Sequence, residues 1–413
     1  MLDALRRRNF GFLLGGQFVS DFGGQLTAFA LPTIAIMVLH ATSFQVASLQ
    51  AAQLAVIPLL ALLAGAVVDR VRRKPLMIVA NVVRLFAIAA LPAFALAGKL
   101  SLSALFVSAI VVSIASLIFD AAYQPFLRTL LGAAHYTHGN AKMTTSASLA
   151  QAGGNAVSGP MVQIAGAAFV LAANVLTYVV GTIALFFIRI EERPQCDDRD
   201  GSLLSALGWI FGDRVLRNIA LSTTLLYFGC AIVNAVLALY VYRVLHVSAA
   251  TYGILLGIAN AGVVGGLFAQ RAAEKLGPRV TLACAAASIV IGQALCLSAA
   301  VPLAGIALGR IAISFASPLY DVVQQTLVTF RVPEERFGRT CAALRTITWT
   351  AFPLGAVAGG ALVDRIGFHT TIALGATVCA FSVIALFART RAGRTWSACW
   401  PSPMMNLPEP SNA

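Results

Sequence analysis

Five ionisable side chains stand where an apolar chain should have none. Asp21, Arg84, Asp120, Arg310 and Asp321 each fall inside, or at the edge of, a long stretch that is otherwise almost free of charge. A charge at the centre of a membrane-spanning helix costs about 2.5–3.5 kcal/mol on insertion scales, so each needs a partner or a task. Asp21 sits about 11 residues into the first apolar stretch, which at 1.5 Å per residue is near mid-membrane. Arg84 lies at similar depth in the third stretch. Two readings stay open. Asp21 alternates between protonated and charged states and so couples proton movement to another process, or Asp21 and Arg84 form a permanent structural pair. Asp120 and Asp321 lie near the ends of two further stretches and suit a shared gate, with proton carriage or a simple solvated helix end as alternatives. Arg310 is a candidate for holding an anionic group, or equally a buried partner of a helix-end acid. Gln25, Asn155, Tyr227, Asn234 and Trp349 are the polar and aromatic side chains that can line a cavity beside these charges.

Other chemistries lack their residues. No H-E-x-x-H occurs, and His40, His135, His138, His246 and His369 do not fall at metal-ligand spacing, so no metal site and no intramembrane enzyme is expected. No G-x-x-x-x-G-K-[ST] loop is present to cradle a nucleotide, which argues against a primary pump. The seven cysteines include no C-x-x-C pair and read as packing residues. No cofactor is expected.

The elements that must position these residues follow from composition. Hydrophobic residues make up 59% of the 413 and charged residues 11%, against about 25% charged in a soluble domain. The apolar stretches recur along the whole chain and accommodate about twelve spans of roughly 20 residues. They lie near 10–38, 46–68, 75–97, 102–124, 140–164, 167–188, 217–242, 249–270, 278–298, 302–327, 339–363 and 368–388. Backbone in lipid must satisfy its own hydrogen bonds, and the stretches are apolar all round rather than alternating. The expected fold class is therefore an all-α membrane protein and not a barrel. Pro32, Pro58 and Pro160 fall inside spans, where they can kink the helix.

The net charge of +13 first suggests nucleic acid, but its distribution records orientation. Lys99, Arg243 and Arg365 fall on one side of the spans and Arg84 and Arg310 inside them. The rest of the 29 Lys and Arg residues lie on the side of the two termini, which the positive-inside rule places in the cytoplasm. The basic N-terminus with Arg6, Arg7 and Arg8 precedes a run too long for a cleaved signal and reads as an uncleaved first span. A bilayer is the expected partner, nucleic acid is not, and a monomer is expected.

Four regions emerge: a first six-helix bundle over 1–189, a cytoplasmic linker over 190–216, a second bundle over 217–388, and a polar tail over 389–413. In the linker Leu203, Leu204, Leu207, Ile210 and Phe211 fall at helical spacing and predict a short helix lying on the membrane surface. The bundles look related by a shift of 201 residues. Gly65 meets Gly266, Arg70 meets Arg271, Asp120 meets Asp321, Gly154 meets Gly355 and Gly159 meets Gly360. Parallel repeats of six spans suit two bundles rocking about a shared midplane site.

The loop between the second and third stretches reads Gly65-Ala-Val-Val-Asp69-Arg70-Val-Arg72-Arg73-Lys74. It resembles the G-x-x-x-D-R-x-G-R-R/K signature of the major facilitator superfamily, with Arg72 where that pattern has Gly. The loop from Gly266 through Arg271 to Lys275 resembles a degraded second copy. Within the superfamily, Gly16-Gln17-Phe18-Val19-Ser20, Asn81-Val-Val-Arg84 and the run Gly154, Gly159, Pro160 resemble bacterial drug:proton antiporters of the macrolide-efflux and siderophore-exporter type. Gln163 and Ile164 stand where the antiporter pattern has paired glycines, and the Arg typical of antiporter span 4 is missing.

The resemblance implies two pseudo-symmetric bundles in the bacterial inner membrane, with both termini cytoplasmic. It implies export of small amphipathic molecules by proton antiport with alternating access. A siderophore or metabolite exporter and a nutrient importer of the same superfamily are the alternatives. It further implies that Gly65, Asp69, Arg70, Arg73 and Lys74, with Asp120, Arg271 and Asp321, help hold the cytoplasmic side closed. Gly154, Gly159, Pro160, Gly355 and Gly360 would serve hinge and packing roles.

Overall fold

The computed structural model describes residues 2–188, 190, 203–297 and 302–387. Residues 191–202 of the expected linker and the whole tail lie outside the described residues, as do Cys196 and Cys399. Six helices come first: α1 (Leu2–Met37), α2 (Ser43–Arg70), α3 (Arg73–Leu96), α4 (Leu102–Leu131), α5 (Ala133–Ala165) and α6 (Ala167–Phe187). A short α7 (Leu203–Gly212) precedes α8 (Arg214–Arg243) and α9 (Ala249–Ala259). A 3₁₀ segment (Asn260–Phe268) continues α9 into α10 (Ala269–Leu276). Then come α11 (Pro278–Leu295), α12 (Pro302–Arg331), α13 (Glu334–Ile366) and α14 (Phe368–Phe387). No strand occurs among the described residues.

Among the described residues ten helical stretches, with α9 through α10 as one, are long and apolar enough to cross a membrane. The long helices α1 and α5 are missing from that set. Their polar residues are the reason: Gln17, Asp21 and Gln25 on α1, and Thr144, Ser148, Gln151 and Asn155 on α5, line internal cavities. The outer wall is the reverse, with Leu59, Phe86, Leu176, Phe186 and Ile291 exposed. Such a surface suits lipid, not water. A large apolar hollow between α3 and α4, walled by Val83, Phe86 and Phe94, belongs to this lipid-facing surface.

Helix starts are chosen by local side chains. Thr42 forms a capping box with Gln45, accepting from its backbone N–H at 3.2 Å while Gln45 accepts from that of Thr42 at 2.8 Å. Ser101 and Ser248 cap α4 and α9 through the backbone N–H of Ala104 and Thr251. Gly166 and Gly367 sit between consecutive helices at φ of +84° and +79°, a region that favours glycine. They are 201 residues apart, and so are both ends of α5 and α13.

The packing repeats the same relation. In the first set α1 packs on α5 and α6, and α3 lies between α4 and α6; in the second α8 packs on α13 and α14, and α11 lies between α12 and α14. The sets meet chiefly through α5 against α9 and α2 against α13. One apolar cluster crosses this seam, running from Phe29, Ile34 and Leu49 to Val236, Leu239 and Tyr252. It lies toward the face remote from the chain termini. Toward the termini the clusters are separate: Leu13, Met77, Phe119 and Phe126 in the first set, and Val215, Leu282, Tyr320 and Leu386 in the second. The two sets are thus joined at the remote face.

Two expectations need correction. The helix at Leu203–Gly212 exists, but it docks on protein as well as facing outward. Ile210 is fully buried with Leu216, Val328, Val332 and Leu344, while Phe211 is exposed. A helix with one apolar stripe takes whichever apolar surface is nearest, and here α8 and α13 offer one. The span expected over 249–270 is not a regular helix. It passes through the 3₁₀ segment, where Gly262 and Gly265 lie against the backbone of Ile311, Ser314 and Phe315. A Cβ at Gly262 would come within 2.7 Å of the Ile311 carbonyl oxygen. Pro32, Pro58 and Pro160, by contrast, stand inside continuous helices.

Candidate functional site

Two cavities hold four of the five ionisable side chains singled out in the sequence, Asp21, Arg84 and Asp120 in one and Arg310 in the other. The first lies within the first six helices and measures about 390 Å³. Asp21 from α1, Arg84 from α3, Asp120 from α4, and Thr144, Ser148 and Gln151 from α5 line it. Gln17, one turn before Asp21, donates its amide N–H to the Asp21 carboxylate at 2.7 Å. No ion pair within 4.0 Å joins Asp21 to Arg84, so the permanent pair is not formed in this structure. Arg84 instead donates to the Asn81 side-chain oxygen at 3.4 Å and lies over the Phe119 ring, 4.6 Å from its centroid. Its Nε is buried and without a hydrogen-bond partner. The aromatic face supplies part of what the missing carboxylate would. One cation faces two carboxylates in this cavity, leaving a net charge that a single proton cancels.

The second cavity, about 370 Å³, lies on the seam. Phe29 and Thr33 of α1, Leu49, Gln50 and Gln53 of α2, and Asn155 of α5 form one wall. Asn234 and Tyr242 of α8, Tyr252 and Leu256 of α9, and Arg310 of α12 form the other. Arg310 donates to the Asn234 side-chain oxygen at 2.7 Å, so its partner is an amide and not a helix-end acid. The two cavities adjoin on α1, where Asp21 and Ala28 are seven residues apart, about 10 Å along the axis.

The sequence-predicted residues divide accordingly. Asn155, Asn234 and Arg310 come together on the seam cavity, whereas Gln25 lines the first cavity. Tyr227 and Trp349 line neither. Tyr227 donates to the Asp321 carboxylate at 3.0 Å and its ring lies 4.6 Å from that of Phe352, which also meets Trp349 at 5.7 Å. Arg345 sits over Trp349, 5.5 Å from its ring centroid. Sequence reading passed over Phe29, Gln50, Gln53, Tyr242 and Tyr252. Gln50 and Gln53, three residues apart in an apolar stretch, were the visible signal.

At the gate motif Arg70 and Arg271 are exposed and neither is seen paired with Asp120 or Asp321. Arg73 donates to Thr129 at 3.3 Å, and Lys74 to the Ile188 carbonyl at 2.6 Å, bonds within the first set. The side chain of Asp69 lies outside the described residues. Gly65 makes no close approach, since nothing lies within 4 Å of where its Cβ would be. The close approaches are at the remote face. Gly159 brings α5 against Ala249 and Gly253 of α9, and Gly360 brings α13 against Phe44 and Ala47 of α2. Gly154 and Gly355, again a repeat pair, seat α5 on α1 at Gln25 and α13 on α8 at Ala231. Thr33 meets the Tyr242 hydroxyl at 3.3 Å, Arg243 donates to the Ala41 carbonyl, and the Ala250 N–H donates to Gln163, all across the seam.

Two pseudo-symmetric helix sets around a seam cavity, with charges held inside the membrane region, are the architecture of the major facilitator transporters. A family model described as transmembrane secretion effector, a branch of the major facilitator superfamily, matches residues 2–411, and the chain belongs to that family. The multidrug efflux pump Tap of Mycolicibacterium fortuitum is 24% identical over 404 residues, covering 91% of this chain and 94% of the pump. Among solved structures, the nucleoside transporter NupG superposes with a TM-score of 0.79 at 12% identity, covering 94% of this chain and all of the other. A bacterial homologue of the iron transporter ferroportin, in an inward-facing state, gives 0.74 at 18% identity, covering 95% and 99%.

Proposed function

We propose that this chain exports small amphipathic molecules across the bacterial inner membrane by proton antiport with alternating access. The observation that carries the reading is the adjacency of the two cavities on α1. A carboxylate in a polar, unpaired setting lies about 10 Å along one helix from a mostly apolar cavity on the seam. Protonation of Asp21 removes the net charge of the first cavity and lowers the cost of moving α1 through an apolar barrier. Substrate in the second cavity touches α1, α2 and α5 on one side and α8, α9 and α12 on the other, so it feels any rocking of the sets. The basic excess on the side of the termini supports a cytoplasmic location for both. The sets, joined at the remote face, then represent the form that loads from the cytoplasm. The likeness to a multidrug efflux pump supports export of drug-like compounds.

The test is made in everted membrane vesicles with an imposed pH gradient reported by an acridine dye. Anionic, neutral and cationic amphipathic compounds are added in turn. At least one is expected to dissipate the gradient in vesicles carrying the wild type and not in those carrying Asp21→Asn. Accumulation of a compound with no proton movement would refute antiport, and movement in the opposite direction would refute export.

A further inference from the structure

Resting on the export reading, the seam cavity also states which charge its substrate bears. We infer that it selects amphipathic molecules carrying an anionic head, a carboxylate or a sulfonate, which Arg310 receives. Among the described residues lining this cavity Arg310 is the one formally charged side chain, and none of them is Asp or Glu. Among the described residues it donates to Asn234, a neutral acceptor that leaves the guanidinium charge uncompensated. Its Nε is buried with no partner. A guanidinium has five N–H donors in a planar fork suited to a two-oxygen anion, and Asn234 engages one of them. An unpaired cation that is partly buried carries a desolvation cost, and an anion that arrives with a second oxygen relieves it.

The carboxylates that would draw a cation lie elsewhere. Asp21 and Asp120 line the other cavity with Arg84, and Asp321 is held by Tyr227. The remaining walls set the rest of the substrate. Phe29, Leu49, Tyr252 and Leu256 offer an apolar and aromatic surface, and Gln50 and Gln53 a polar edge. A volume near 370 Å³ fits a molecule of one or two fused rings with a short acidic arm. An acidic substrate leaving with negative charge while a proton enters also moves charge in the direction an interior-negative membrane favours.

Dansylglycine and dansylcadaverine share one ring system, the first with a carboxylate on a one-carbon arm and the second with an ammonium on a longer apolar arm that would itself favour binding to the apolar walls. Their binding to the purified full-length protein in detergent is followed by dansyl fluorescence. Dansylglycine is expected to bind at least about tenfold more tightly than dansylcadaverine. Arg310→Gln should lose about tenfold or more of that affinity, the range for a hydrogen bond to a charged group, while Arg310→Lys should keep the preference for the acid. Equal or tighter binding of dansylcadaverine, unchanged dansylglycine binding in Arg310→Gln, or no binding of either probe would overturn the inference. Circular dichroism and size-exclusion profiles check that each variant is folded. Vesicle transport of dansylglycine separates the two ideas: Arg310-dependent binding with inward movement sinks the export reading and leaves the acid preference standing.

Discussion

The two sets of helices share a backbone plan and differ in the groups it carries. Asp120 and Asp321 are repeat equivalents, yet Asp120 opens into a polar cavity with Asp21 and Arg84, whereas Asp321 is engaged by the Tyr227 hydroxyl. The equivalent of Asp21 is Ser222, which accepts a hydrogen bond from buried Tyr320, and that of Arg84 is Ala285. The traffic also runs the other way, since Arg310 corresponds to Ala109 and Asn234 to Thr33, while Asn155 of the first set meets Ala356. Repetition kept the small residues that let helices meet, Gly154 with Gly355 and Gly159 with Gly360, and let the polar residues part. On the function and the anion contact proposed above, this difference amounts to a division of labour, with proton chemistry in the first set and the cationic substrate contact in the second.

The sharpest way to break this contrast is at Asp21. Asp21→Asn is expected to reduce pH-gradient-driven transport on the order of 10²-fold, the range for losing a proton-transferring side chain, while leaving probe binding intact. Initial rates in vesicles check it, and a variant that still couples would return the proton site to Asp120 or to the second set.

The shared glycines should matter next. Gly159→Leu and Gly360→Leu each force a side chain into the neighbouring helix, at about 1–3 kcal/mol of overpacking. That energy corresponds to roughly 5- to 150-fold in population, away from the form joined at the remote face. A spin-label pair at positions 40 and 246, in a background without native cysteines, should show a longer distance in both variants. An unchanged distribution would mean that these contacts do not hold the face together.

The equivalent acids sharpen the comparison. Asp120→Asn is expected to lower coupled transport several-fold, whereas Asp321→Asn keeps an acceptor for Tyr227 and should change it little. Tyr227→Phe should cost about 1.5–3 kcal/mol of stability, the range for a hydrogen bond to a charged group, seen as a thermal shift in detergent. Comparable transport losses in both acid variants would erase the proposed division.

The smallest effect concerns the start of the second set. Asp213 caps α8 through the N–H groups of Val215 and Leu216 and pairs with Arg331 at 2.8 Å. Asp213→Ala should cost about 0.5–2 kcal/mol, chiefly from the lost cap. Asp213→Asn retains the cap and loses a partly exposed ion pair worth at most about 1 kcal/mol. Thermal melts of the two variants decide between cap and pair.

Much of the architecture was legible because lipid imposes a one-dimensional code. Charge-free stretches gave helices close to those observed, and the 201-residue shift recurs in the ends of α5 and α13. The Gly-rich 3₁₀ segment was not legible. Its cause is the backbone of α12, a neighbour that periodicity in Asn260–Phe268 does not reveal. The docked face of α7 was hidden for the same reason, since an apolar stripe does not say whether lipid or protein covers it. At the site, residue type identified Asp21, Arg84 and Arg310 because a charge in lipid is conspicuous. Which cavity each joins depends on helix rotation and packing. Tyr227 and Trp349 were therefore placed beside the wrong neighbours, and Tyr242 and Tyr252 were overlooked.

The division of labour is tested most directly by counting protons on substrate binding. Purified protein in weakly buffered detergent solution, at a pH where Asp21 is partly protonated, is mixed with dansylglycine while a pH indicator is read. The account predicts proton release on binding in the wild type, binding without release in Asp21→Asn, and neither binding nor release in Arg310→Gln. Release that persists in Asp21→Asn, or binding lost in Asp21→Asn and kept in Arg310→Gln, would contradict it.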